Sequence, residues 1–132
     1  MAAVKDKKMV SGPFSNESEL VRVLWDFDVD GGALATLDLL EAQGDVLISL
    51  KALHVRNQVT SGGALLMDVG EANGNEMLND VPKADMGGNA IKVGLIPISL
   101  VAGEKIGMTF AGAAASAGKI EFIFELMKVT SA

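Results

Sequence analysis

The 132 residues contain no cysteine, no tyrosine, one histidine and one tryptophan. Without cysteine there is no disulfide, no thiolate nucleophile and no Cys-based metal site. One imidazole, His54, cannot build the multi-histidine centre of a cupin-type protein. Trp25 and five Phe are a poor supply for a surface that stacks sugars or bases. Cations are also short: 11 Lys and Arg against 17 Asp and Glu leave a net charge of −6, which disfavours nucleic acid and anionic membranes as partners. The richest apolar stretch, Ala90 to Ala102, is broken by Lys92, Gly94, Pro97 and Ser99. It falls short of the roughly 18–20 residues that a membrane span needs. The first ten residues lack the apolar segment of a secretory signal, so the chain is expected to be made and used without export.

What is present is alternation. Ile120, Phe122, Phe124 and Leu126 occupy every second position, with Glu121 and Glu125 between them. This period of two predicts a strand with one face in the core. The same period marks Val23, Trp25, Phe27 and Val29, where a helix capped by Asn16 and Glu19 is the weaker reading. Val46, Ile48, Leu50 and Ala52 predict one long strand, or two joined by a bend. Leu65, Met67 and Val69, then Ile91, Val93 and Leu95, then Ile106, Met108 and Phe110, predict three more inward stripes. Residues 33–43 fit a helix ending at Gly44 or a strand; the short Gly31–Gly32 link favours a strand paired as a hairpin. Thr60-Ser-Gly-Gly63 predicts a second turn, and Ala111 to Gly118 a featureless, flexible connection.

Taken together, the pattern predicts an all-β protein, an antiparallel β-sandwich or jelly roll of about seven to eight strands. Residues 19–132 form its single domain, and residues 1–18 are expected as an extended N-terminal arm. Two regions stand out as partner contacts. One is the arm, with Val10 and Phe14 as anchors; the other is the polar, turn-rich stretch 71–88, carrying Met77, Leu78 and Val81.

Reactive constellations are scarce. Asp26-Phe-Asp-Val-Asp30-Gly31 matches the start of a calcium loop, but its twelfth position is Leu37 instead of a bidentate Glu. Alternating Asp on a wet strand face explains it equally well. No nucleophile-elbow sequence surrounds any Ser, so His54 reads as a strand residue at a rim or interface. Gly62–Gly63 and Gly87–Gly88 lack the Lys-Ser/Thr that follows a phosphate-cradling loop. The acidic residues single out no pair, and the seven Met read as core filler. The expectation is a non-enzyme with no catalytic residue, no cofactor and no metal.

The strand ending in Val29-Asp-Gly-Gly32, the turn at Val59-Thr-Ser-Gly-Gly63, the Ala/Gly-rich link and the closing strand Lys119 to Val129 give the chain a recognisable layout. It resembles the head decoration, or capsid cement, proteins of tailed bacteriophages. That resemblance implies a jelly-roll or related domain on the outer surface of a virion, assembled in the host cytoplasm. Its partner would be the major capsid protein, and it would form a homo-oligomer, a dimer or trimer. The family has no catalytic residues to carry over. A tail or fibre component, or a soluble glycan- or ligand-binding sandwich, shares the fold-level pattern.

Overall fold

The computed structural model of the chain describes residues 2–12 and 17–128. Its strands are β1 (Ala3–Val10), β2 (Glu19–Asp26), β3 (Thr36–Ala42), β4 (Val46–Ser61) and β5 (Leu66–Glu71). They continue with β6 (Leu78–Pro82), β7 (Ile91–Lys92), β8 (Ile98–Leu100), β9 (Lys105–Ala111) and β10 (Ala115–Met127). One helical turn, α1 (Phe27–Asp30), follows β2. One sheet runs β1-β3-β9-β5-β6 and the other β2-β10-β4-β7, with β8 pairing farther along β4. Apart from the parallel β1–β3 pair, the pairings are antiparallel. Because β7 and β8 line the same edge of β4, at Leu53–His54 and Val46–Ile48, they act as two halves of one interrupted strand. From β2 onward the chain then crosses between sheets in jelly-roll order.

The alternating residues of β10 explain why this strand is central. It lies between β2 and β4, with Ile120, Phe122, Phe124 and Leu126 buried on its inner face. The carboxylate of Glu121, on the opposite face, lies 3.6 Å from both Arg22 and Arg56 of the flanking strands. Trp25 bridges the two layers: its ring is fully buried and meets Phe110 of β9 edge-on at 5.2 Å. Its indole N–H donates to the Gly31 carbonyl at 2.9 Å.

Several expectations need correction. The strand over 20–30 stops at Asp26, whose carboxylate accepts the Asp28 amide and caps α1. Side-chain capping of free helical N–H groups overrides the period of two here, and Val29 is exposed. Neither Gly-Gly link closes a hairpin. Each carries the chain from one sheet to the other, from β2 to β3 and from β4 to β5. The Ala111–Gly118 stretch is likewise no loose connection, since Ala115 to Gly118 opens β10. A Cβ on Gly32 would lie 2.6 Å from the Ala115 Cβ, and one on Gly63 would lie 2.9 Å from that of Ala113. Both corners therefore close against this strip of small side chains.

Within residues 33–43 the chain forms a strand, not a helix: β3 covers Thr36–Ala42. β4 is continuous but bulged at Lys51: Ile123 faces Ala52 and Phe124 faces Leu50, so one residue is extra. The inner face consequently passes from Leu50 to Leu53, and Ala52 is not part of it. Part of the expected arm is built in as well. β1 adds an edge strand beside β3, burying Val4 and Val10, and the Lys7 ammonium meets Glu41 of β3 at 2.9 Å.

Candidate interaction surface

The predicted contact residues divide in an informative way. Val10, Met77, Leu78 and Val81 are all buried in the chain's own core, and Phe14 lies outside the described residues. The 71–88 stretch contains β6, which pairs with β5, so Leu78 and Val81 fill the sandwich interior. Beyond it, Met86 accepts the Val59 amide and Asn89 donates to Val55, so this stretch wraps from one sheet edge to the other. The surface those regions offer to a partner belongs to exposed neighbours such as Asn73, Asn79 and Asp80.

The opposite surprise is the 90–96 stripe. Only Ile91 and Lys92 form a strand, and Ile91, Val93, Leu95 and Ile96 are 65%, 66%, 72% and 56% exposed. Backbone bonds explain the geometry. The Gly94 amide donates to Leu50 on β4, while the Leu95 amide donates to Met77 beside the other sheet. A Cβ on Gly94 would meet Leu50 at 2.7 Å, so the chain can approach β4 only with glycine there. The segment thus spans the side of the sandwich, held by its backbone with its side chains turned outward. Lys92, the cation of this flank, is paired with Asp85 at 3.2 Å. Sequence periodicity detects such a stripe but reports nothing about which side of it faces solvent.

Acidic groups gather elsewhere. At the corner after β5, burial, then a hydrogen bond with Glu104, then the charges of Glu104 and Glu76 push the Glu71 carboxyl above the usual carboxylate range. Glu76 also accepts the Glu71 amide, and Glu104 accepts the Val101 amide. Buried Asp38 has the Lys105 ammonium 3.9 Å away. Among the described residues no group of His, Cys, Asp or Glu side chains is arranged to hold a metal ion. Two of the three aspartates of the calcium-like stretch have their carboxylates engaged within the chain. Asp26 caps α1 and lies 3.5 Å from Lys119, while Asp30 accepts the Lys5 and Asp26 amides. His54 is half-buried on β4, opposite Glu121 and Ile91.

No family model matches the chain, and no curated protein matches it. Its fold is similar to that of chains in two bacteriophage capsid structures. One is the acidic stable capsid structure of Helicobacter pylori bacteriophage KHP30, with a TM-score of 0.62 and 12% identity over 86% of this chain and 89% of that one. The other is the capsid asymmetric unit of cyanophage Pam1, with a TM-score of 0.65 and 10% identity over 89% of each chain.

Proposed function

We propose that this chain is a structural protein of a bacteriophage capsid, and specifically a decoration or cement protein. It binds the outer surface of the head, stabilises contacts between major capsid proteins and self-associates. The observation that carries the reading is the likeness of the whole jelly roll to chains of two phage capsids, spanning nearly all of both partners. The wide apolar flank supports an adhesive role, because a lone soluble domain gains nothing from four large aliphatic side chains held in water side by side.

The mechanism is additive cohesion. A stiff sandwich that contacts two shell subunits must be detached from one of them before they separate. Each contact can be modest, because association costs are met once per copy while many copies act on one shell. Phe14 and the exposed residues of 71–88 are the proposed shell-facing groups. Co-sedimentation with empty heads of the phage that encodes the chain tests this. Saturable binding and a raised disruption temperature of the heads are expected. Full-length chain that stays in the supernatant with intact heads would end the proposal.

A further inference from the structure

We propose that the flank formed by Ile91, Val93, Leu95 and Ile96 is the face on which a second copy of this chain docks, ridge against ridge. This deepens the self-association part of the preceding reading and does not depend on shell binding.

Three observations converge on a second copy as the occupant. The first is area. The four residues, each more than half exposed, together present about 400–500 Å², within the range of the largest and often functional apolar patch on a monomer. Two such faces closing on each other remove about 800–1,000 Å² in total, at the small end of specific interfaces. The second is charge. The chain carries −6, so two copies repel wherever their acidic surfaces approach. Residues 93–98 have no ionisable side chain, and Lys92 is neutralised by Asp85 within the same copy. The flank is thus a place where like meets like without a charge penalty.

The third is the sheet edge. β7 is the last strand of its sheet among the described residues, and it presents Ile91 at 65% exposure. Natural edges of this kind are normally blunted by charge or covered. β7 is only two residues long and its one cation is turned to an internal partner, so the apolar side chains beside this edge are what a covering copy would shield. A self-complementary patch shields them through a two-fold axis, each copy's Leu95 packing among the other's Val93 and Ile96.

The test is the mass of the purified full-length chain in solution, by sedimentation equilibrium, for wild type, Leu95→Asp and Val93→Asp/Leu95→Asp. Leu34→Asp is the control, because Leu34 is also exposed, at 59%, but lies outside the flank. The wild type and the control are expected at twice the 13.7 kDa chain mass at about 100 µM. The flank variants are expected at 13.7 kDa with unchanged far-UV circular dichroism. A monomeric wild type, a flank variant that stays dimeric, or a control that dissociates as readily would each overturn the proposal. Co-sedimentation separates this from the function proposed above. A monomeric wild type that binds heads refutes the flank and the self-association but leaves head binding standing, and a flank-dependent dimer that ignores heads refutes only the decoration role.

Discussion

Replacing Trp25 should weaken the sandwich more than replacing any surface residue, because this side chain joins both layers. It is fully buried, meets Phe110 edge-on at 5.2 Å and donates to the Gly31 carbonyl at 2.9 Å. Truncating a buried Trp to Ala costs about 3–5 kcal/mol. That is a large part of the 5–15 kcal/mol that typically holds a domain together. Trp25→Phe keeps a ring near Phe110 but removes the N–H donor and part of the buried area, for about 1–2 kcal/mol. Urea unfolding followed by far-UV circular dichroism measures both; fluorescence is unsuitable because Trp25 is the only tryptophan. A double-mutant cycle with Phe110→Ala should return a coupling of about 0.5–1.5 kcal/mol. A loss below about 1 kcal/mol for Trp25→Ala would refute the bridging role. So would equal losses for the Ala and Phe variants.

Three further outcomes follow from the backbone and the charges. Gly32→Ala should lower stability by about 1–3 kcal/mol in thermal melts, since the new methyl collides with Ala115, whereas Gly44→Ala, with open space around it, should not. Deleting Lys51 should leave a folded protein, because removing the bulge keeps Leu50 and Leu53 inward, while deleting Ser49 should abolish the fold by turning Val46 and Ile48 outward; proton NMR dispersion separates the two. Glu41 and Glu71 should respond to pH with opposite signs. The hydrogen bond from Lys7 lowers the Glu41 pKa, so its stabilisation is present above its unfolded pKa and is lost as pH falls through the folded value; in Lys7→Met this acid loss should shrink. The raised Glu71 pKa makes its contribution complete below the unfolded value and lost as pH rises through the folded one. A carboxyl-detected NMR titration in which Glu71 protonates at lower pH than Glu41 would contradict this pair of assignments, and each curve against the ordinary Glu value shows which of them fails.

Alternation alone makes much of the core legible in the sequence. Val23, Trp25, Val46, Ile48, Leu50, Met67, Val69, Ile106, Met108, Phe110 and the β10 quartet all point inward as their spacing predicts. What it missed has physical reasons. Phe27 and Val29 continue the period, yet the caps at Asp26 and Asp30 win because they satisfy backbone N–H groups directly. A Gly-Gly dipeptide announces a change of direction, but the choice between hairpin and sheet-to-sheet corner rests on Ala113 and Ala115, far away in sequence. The outward flank was hidden for a related reason. Ile91, Val93 and Leu95 carry a strand's period, and their orientation is set by backbone bonds to Leu50 and Met77. Met77, Leu78 and Val81 were obscured by polar neighbours, which disguised an edge strand as a loop.

The position of β10 between β2 and β4 bears on how the molecule is born. During synthesis the two strands that flank β10 emerge long before it, so their layer cannot close until residues 115–127 have been translated. Nascent chains must hold apolar strands apart for most of their elongation, a state prone to aggregation and a natural client for chaperones. A premature stop anywhere before Ala115 would leave a polypeptide with two unmatched inner edges, unable to compete with finished copies for any place they occupy.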